Sequence, residues 1–361
     1  MKKIVTILGA RPQFVKAAVL SREILKKNSI EEIIVHTGQH YDSNMSAVFF
    51  QEMEIPNPKY NLNINGVGHG AMTGQMLEKI ERVLLDENPD AVVVYGDTNS
   101  TLAGALAAQK LQIKVVHIEA GLRSFNMAMP EEVNRILTDR IASLLLCPTD
   151  TAIQNLKNEG YDQLDINVIN CGDIMKDAVA HYSKTSSQKS QIVRNLNLEE
   201  NEFILATIHR QENTDSIKVI EAIFDGLSEI HKIKKVVMPL HPRTKKILEQ
   251  NNLSYPIHFI EPVGYFDMLE LLKNCNTVVT DSGGLQKEAF FNGKFCVVAR
   301  EQTEWVELVE NGFAKLVGSN TKQMVAAFKE FQTLENDFEK ELFGNKVGEK
   351  IHKAIDKLIE G

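Results

Sequence analysis

A chain of 361 residues, 43% of them apolar, is long enough to build two globular cores. Its 48 acidic and 40 basic residues are mixed along the chain, and the net charge of −8 excludes any general attraction to nucleic acid or to an anionic membrane. An anionic ligand must therefore be gripped by local groups. The scattered Cys147, Cys171, Cys275 and Cys296 form no CxxC pair and no metal-ligand spacing, which reads as buried thiols in a reducing compartment. The short apolar run 4–10 ends at Arg11-Pro12 and fits a first strand better than a leader peptide. With no run of membrane-spanning length, a cytoplasmic location is expected.

In chain order, strands are expected at 4–8, 32–36, 91–95, 114–118 and 144–147, separated by amphipathic stretches. This alternation predicts βαβ units and a parallel sheet. Over 72–85, Met72, Met76, Ile80, Val83 and Leu84 recur at helical spacing, and Pro89-Asp90 ends that helix. The polar run 183–191 is the best break in mid-chain, with a hinge near 171–177 as the other candidate. Strands resume at 203–207, 235–238, 258–260, 277–280 and 296–298, and an amphipathic segment follows at 347–358. Two doubly wound domains each present ligands with the carboxyl ends of their strands, so edges that face each other would enclose a catalytic cleft.

Four segments carry candidate chemistry. Gly9-Ala10-Arg11-Pro12-Gln13 follows the first strand and opens a helix, where free N–H groups and Arg11 suit a phosphate; a plain strand-to-helix turn is the alternative. It is not the GxGxxG fingerprint, which removes the main support for hydride chemistry. Asp281-Ser282-Gly283-Gly284 begins another helix, where glycine N–H groups can cradle a diphosphate and Glu288, a turn later, can accept from ribose hydroxyls. Asp97 and Glu119 each end an apolar strand, and Glu131 and Glu132 follow closely. Carboxylates collected in one crevice are what proton abstraction and return require. His209-Arg210 and His241-Pro242-Arg243 each follow a strand of the second half and add cations to that crevice.

Together GARPQ, GDTNST, HIEAGLRS, MPEEVNR, TIHRQEN and TDSGGLQKEA, in that order, resemble the non-hydrolysing UDP-N-acetylglucosamine 2-epimerase family along nearly the whole chain. The resemblance implies a glycosyltransferase-B-like fold of two Rossmann-like α/β domains: 1–172 with a C-terminal helix 346–361 packing back on it, and 173–345. It implies a homodimer acting on a UDP-sugar without NAD or a metal, with neither nucleic acid nor membrane as partner. Asp97, Glu119 and Glu131 become the carboxylates that move protons at the sugar, and His209 the histidine near the leaving diphosphate. The substrate contacts become Arg11, Gln39, His40, Arg123, Arg135, Arg210, His241, Arg243, Asp281, Ser282, Gly283, Gly284, Glu288 and Glu304. The implied reaction eliminates UDP to a glycal and re-adds it with C2 inverted.

Several departures bear on the substrate. Gln13 stands where the commonest members have Glu, Thr303-Glu304-Trp305-Val306-Glu307 replaces TERPE, and 66–70 lacks the Arg-Gln pair of the family's regulatory UDP-GlcNAc site. These features are similar to the branch acting on UDP-2,3-diacetamido-2,3-dideoxy-glucuronate, which serves bacterial surface polysaccharide. A uronate needs one more cation, for which Arg123, Arg210 and Arg243 are the candidates. UDP-GlcNAc is the other substrate of this family type. Two enzyme readings share the fold, a hydrolysing 2-epimerase that releases free sugar and UDP and a glycosyltransferase; a catalytically silent nucleotide-sugar sensor would lack the carboxylates.

Overall fold

Near-continuous Val, Ile and Leu runs make strands that bury both faces, which is the condition of a parallel sheet covered by helices. The computed structural model describes residues 1–39, 50 and 53–360. Its first sheet contains β1 (Lys2–Leu8), β2 (Ile30–His36), β3 (Tyr60–Asn61), β4 (Ala91–Tyr95), β5 (Lys114–Ile118), β6 (Leu144–Cys147) and β7 (Asn167–Asn170), in the order β3-β2-β1-β4-β5-β6-β7. The second contains β8 (Phe203–Thr207), β9 (Lys235–Pro239), β10 (His258–Ile260), β11 (Thr277–Thr280), β12 (Phe295–Val298) and β13 (Ala314–Leu316), in the order β10-β9-β8-β11-β12-β13. Pairings such as β1 with β2 and β4, and β8 with β9 and β11, are parallel. The central strands are fully buried, with Ile4, Val5, Val92, Val93, Leu205 and Ala206 all at zero exposure.

The contacts divide the chain into Met1–Ala178 with Glu341–Gly361, and Val179–Lys340. Each unit is a doubly wound, Rossmann-like parallel sheet, and two such domains make up the glycosyltransferase-B-like fold class. The polar run 183–191 is no linker. Most of it belongs to the helix Ile174–Lys189, which begins in the first unit and ends in the second. Its serines satisfy themselves locally: Ser186 and Ser187 donate to Ser183 O at 3.0 and 3.1 Å, and Ser186 also reaches Glu270 at 2.5 Å.

The last helix, Val347–Glu360, belongs to the first unit and packs on the helix Arg11–Lys27. It buries Val347, Ile351, Ile355 and Ile359, each worth on the order of 1.5–3 kcal/mol. Asp177 Oδ2 accepts from Gly348 N at 2.8 Å and Lys114 Nζ donates to Leu358 O at 2.7 Å, tying both ends of that helix down. No helix among the described residues is long and apolar enough to cross a membrane.

In each sheet the strand order reverses once. The reversals fall between β1 and β4 and between β8 and β11. At such a switch point the connections leave in opposite directions and open a crevice outside the carboxyl ends of the strands. The charged segments singled out in the sequence leave from these four strands and their neighbours β5, β9 and β12.

Candidate active site

The first switch point is bounded by Gly9-Ala10, leading from β1 into the helix Arg11–Lys27, and by Gly96-Asp97, leading from β4 towards the helix Asn99–Lys110. The sequence suggested open N–H groups on the first of these turns. Gln13 closes it instead. Its Oε1 accepts from Gly9 N and Ala10 N at 2.8 and 3.0 Å, while Nε2 donates to Tyr95 O at 2.8 Å, Thr98 Oγ1 at 2.9 Å and Thr101 Oγ1 at 3.0 Å. A β-carbon at Gly9 would collide with the Ser100 and Thr37 hydroxyls, so this glycine serves close packing. Gln39 Oε1 accepts from Ser100 N and Oγ at 3.1 and 2.8 Å, extending the polar wall. Arg11 is half-buried at the helix start. His40 lies outside the described residues.

Against this wall stand the acids. The Asp97 carboxylate is paired with Arg135 from the helix Pro130–Ile141, and its carbonyl accepts from Asn134 Nδ2 at 2.9 Å. Glu119, directly after β5, has a left-handed backbone with φ of 72°. That costs a non-glycine residue about 1–3 kcal/mol and persists only where the surroundings over-determine it. Its carboxylate pairs with Lys16, and both side chains are about nine-tenths buried. A β-carbon on Gly96 would come within 3.3 Å of Glu119 Oε2 and 3.7 Å of Lys16 Nζ. The Glu119–Lys16 pair therefore rests against the residue that precedes Asp97.

The adjacent Glu131 and Glu132 differ sharply. Glu132 is buried and accepts from Ser124 N, Ser124 Oγ, Phe125 N and Arg135 Nη1 at 2.9, 3.0, 2.9 and 2.5 Å. It fixes the 124–125 turn and steadies the arginine that holds Asp97. Glu131 is half-buried, and its carboxylate has no hydrogen bond or ion pair among the described residues, which leaves it available to a ligand.

Behind these acids lies a second charged group. His117, fully buried on β5, contacts Asp139 Oδ1 through Nδ1 and the Gly96 carbonyl through Nε2, both at 2.7 Å. Asp139 also accepts from Gly121 N at 3.1 Å and Arg123 Nη1 at 2.7 Å. Burial alone would raise the Asp139 pKa, but His117 and Arg123 outweigh it and hold the carboxyl below its ordinary value. Arg123 completes the group with a two-pronged contact to Glu159 at 2.7 and 2.8 Å and a bond to Leu122 O at 2.7 Å. Arg123 is thus corrected from a substrate cation to a buried brace, because its side chain is 1% exposed and turned into the protein.

At the second switch point Asp281, fully buried after β11, organises the chain leaving β8. It accepts from His209 N at 3.0 Å, Arg210 N at 2.9 Å and Asn213 Nδ2 at 3.0 Å. The His209 ring is the most accessible part of this cluster, with its centroid 5.3 Å from that of His241 and the two rings tilted by 30°. Burial lowers the His209 pKa, Asp281 opposes this, and Arg210 and Arg243 add to the lowering. His241 caps the helix Pro242–Gln250 by accepting from Arg243 N at 3.2 Å, and the exposed Arg243 reaches Asp215 at 3.3 Å.

The helix Gly283–Phe291 opens here too. Ser282 Oγ caps Leu285 N at 3.5 Å, while the Gly283 and Gly284 N–H groups meet no protein acceptor among the described residues. A β-carbon on Gly283 would strike the Glu304 carboxylate. Glu304 Oε2 accepts from Arg300 at 2.9 Å, and its Oε1 lies 3.9 Å from Arg210. Glu304 is thus a nearly buried support beneath the helix start. Glu288 is half-buried one turn further on.

Each unit therefore gathers its own share of the residues singled out in the sequence, apart from Arg123 and the undescribed His40. Lys16, His117, Asp139 and Arg300 were not singled out in the sequence; Glu132 was, beside Glu131 among the candidate acids, and it is buried as a support. Lys16 had a readable signal: it is a lysine inside the apolar run Phe14-Val15-Lys16-Ala17-Ala18 directly after a ligand-facing turn. Lys287 gave another, since its buried ammonium lies 3.8 Å over the Trp305 ring at the TERPE departure.

Comparison with known proteins shows the family. The family model of UDP-N-acetylglucosamine 2-epimerases matches residues 22–356. A UDP-2,3-diacetamido-2,3-dideoxy-D-glucuronate 2-epimerase of Pseudomonas aeruginosa is 52% identical over 90% of each chain. The crystal structure of the Methanocaldococcus jannaschii UDP-GlcNAc 2-epimerase with UDP-GlcNAc and UDP superposes with a TM-score of 0.91 at 42% identity, covering 99% of this chain and 100% of that one. The Neisseria meningitidis enzyme bound to UDP-GlcNAc gives 0.88 at 31% identity, with 99% and 100% coverage. The chain belongs to the UDP-N-acetylglucosamine 2-epimerase family and is a sugar-nucleotide isomerase.

Proposed function

We propose that this protein inverts C2 of UDP-2,3-diacetamido-2,3-dideoxy-D-glucuronate, giving the manno epimer, by eliminating UDP and adding it back. The observation that carries the substrate is the 52% identity over nine-tenths of both chains to an enzyme of that name. The C2 proton is not acidic in the ground state. As the anomeric C–O bond breaks, positive charge develops at C1, and a carboxylate can then take the proton while the C–H electron pair forms the C1=C2 double bond. UDP leaves with the C–O pair. In the return step a proton is delivered to the opposite face of C2 and a diphosphate oxygen attacks C1.

Asp97, Glu119 and Glu131 are the acids and bases of this scheme. The paired cations Arg135 and Lys16 offset their mutual repulsion. The departing diphosphate is received by the Gly283 and Gly284 N–H groups, Ser282 and His209, whose lowered pKa favours a neutral ring that can donate one proton. Arg11 and Glu288 contact the nucleoside. With Arg123 committed elsewhere, Arg210 and Arg243 remain for the uronate carboxylate. The enzyme works as a cytoplasmic homodimer supplying bacterial surface polysaccharide.

The test is proton NMR in D2O with UDP-2,3-diacetamido-glucuronate and UDP-GlcNAc in separate tubes. Deuterium at C2 and a UDP-linked manno product from the uronate alone is the expected result. Exchange with UDP-GlcNAc alone overturns the substrate, release of free sugar with UDP makes the enzyme a hydrolysing one, and no exchange in either tube overturns the mechanism.

A further inference from the structure

We propose that His117 is a positioning residue of this site: a buried imidazolium, protonated on both nitrogens, whose Nε2–H fixes the Gly96 carbonyl and thereby aims Asp97. The functional part rests on Asp97 being one of the proton-handling carboxylates; the charge state does not.

The argument begins with counting protons. A backbone carbonyl can only accept, so the 2.7 Å contact to Gly96 O requires a proton on Nε2. The 2.7 Å contact at Nδ1 is to Asp139, a carboxylate that already receives N–H groups from Gly121 and Arg123 on its other oxygen. It too acts as an acceptor. A neutral ring would set a lone pair against an oxygen at one of these two contacts, with both side chains at zero exposure. A doubly protonated ring satisfies both.

The charges then balance. His117 and Arg123 supply two positive charges, Asp139 and Glu159 two negative ones, and every neighbour in the series is in direct contact. With a neutral His117 the group would carry a net negative charge beneath the acids of the site. The next cation, Arg140, is exposed and lies 5.6 Å over the Tyr161 ring, outside this contact series. Burial pushes the Cys147 thiol well above its ordinary value, and burial with the Asp139 charge pushes Tyr161 up to about 12, so both remain neutral. On the far side of Gly96 the Glu119–Lys16 pair is balanced within itself.

What this charged ring holds is the peptide that precedes Asp97. Gly96 N donates to Ile118 O at 2.9 Å and its carbonyl accepts from His117, so the turn out of β4 is anchored through both polar groups of one residue. Gly96 needs its left-handed φ of 62° to make that turn. The next residue is anchored by Asn134 on its carbonyl and by Arg135 on its carboxylate. The His117 bond and the Gly96 N–Ile118 O bond together tie this loop to β5, and Glu119 is the residue directly after that strand. The imidazolium therefore sets the spacing between two acids that must serve one carbon atom.

Two measurements test the proposal. With ring-15N histidine in the whole protein at pH 7, one imidazole is expected to carry protons on both nitrogens, and its signal should vanish in His117→Gln. A wild-type His117 ring that is singly protonated at pH 7 overturns the charge assignment, whatever the catalytic result. In kinetics, His117→Asn removes the Nε2 donor but keeps an amide facing Asp139. With whichever UDP-sugar the wild type turns over, kcat and C2 exchange are expected to fall about 100-fold, the penalty typical of a displaced reacting group, with KM nearly unchanged. His117→Gln returns an N–H to the Nε2 position and should recover most of that loss. Full activity in His117→Asn, or equal loss in both variants at wild-type Tm, overturns the positioning role. If neither variant folds, the NMR measurement on the wild type decides.

Discussion

The two switch points handle charge in opposite ways. In the first unit every acid of the site except Glu131 is matched by a side-chain cation: Asp97 and Glu132 share Arg135, and Glu119 has Lys16. In the second unit a buried acid, Asp281, gathers backbone N–H groups from His209 and Arg210, while open glycine N–H groups and a half-buried imidazole face outward. Carboxylates paired with cations suit proton movement, since each cation offsets the repulsion between neighbouring acids. Unmatched N–H groups suit a diphosphate that brings its own negative charge. On the proposed mechanism, each doubly wound sheet is furnished for one half of the elimination.

Removing an acid from the first unit should break this contrast most severely. Glu119→Gln is expected to lower kcat by about 10³-fold, roughly 4 kcal/mol in the barrier. Binding of UDP alone, followed by calorimetry, should stay within experimental error. A parallel loss of UDP affinity would show that the division of labour between the units is false. Next in size is Arg123→Met, which strands Asp139 and Glu159 in the buried brace. It should cost about 3 kcal/mol of unfolding free energy. Arg243→Ala, which loses only an exposed pair with Asp215, should cost about 0–1 kcal/mol in the same denaturation experiment. Equal losses would mean that the brace is not the buried unit described.

That pair of arginines also shows what the sequence could and could not convey. Both were readable as cations near a strand end, and nothing in the letters separates one buried among acids from one standing in solvent. Strands with unbroken apolar runs, β4, β6 and β12 among them, were legible because burial on both faces leaves little room for polar letters. Edge strands β3, β7 and β13, with Tyr-Asn, Asn-Val-Ile-Asn and Ala-Lys-Leu, were not, since an edge is free of that constraint. The polar run 183–191 looked like a linker because its hydroxyls signal a break, yet the same hydroxyls bond to the helix's own carbonyls. At the site, strand-end acids and the glycine pair were visible by position. Gln13 was misjudged: its identity was noticed, but side-chain closure of the helix start depends on Tyr95 and Thr101, more than eighty residues away.

A smaller effect is expected at the second switch point. In Gly283→Ala the new methyl would meet the Glu304 carboxylate, forcing either the helix start or the Arg300–Glu304 pair to move. Overpacking of this kind costs about 1–3 kcal/mol, which should appear as UDP affinity weakened roughly 10- to 100-fold in calorimetry. Deuterium exchange at C2 under saturating substrate should change far less. If exchange falls while UDP affinity holds, Gly283 belongs with the proton-handling residues and the contrast between the units must be redrawn.

The smallest effect concerns pH. Because burial lowers the His209 pKa in the folded protein, the unfolded chain binds the proton more readily. Stability due to this group is therefore complete above the ordinary histidine value of 6.5 and declines as pH falls through it. His36, buried between Phe14 and Phe50 in the first unit, is lowered in the same direction, burial outweighing its bond to Asn61. The two rings differ in exposure: the His36 residue is 1% accessible and the His209 side chain 36%. Solvent screening should keep the His209 share below about 1 kcal/mol, with His36 contributing the steeper part. Denaturant unfolding at pH 7 and pH 5 should then show His36→Gln flattening the acid slope more than His209→Gln does. The reverse order would mean that the second switch point shields its histidine from water even without a ligand, and that its imidazole is tuned by the site as strongly as the acids of the first.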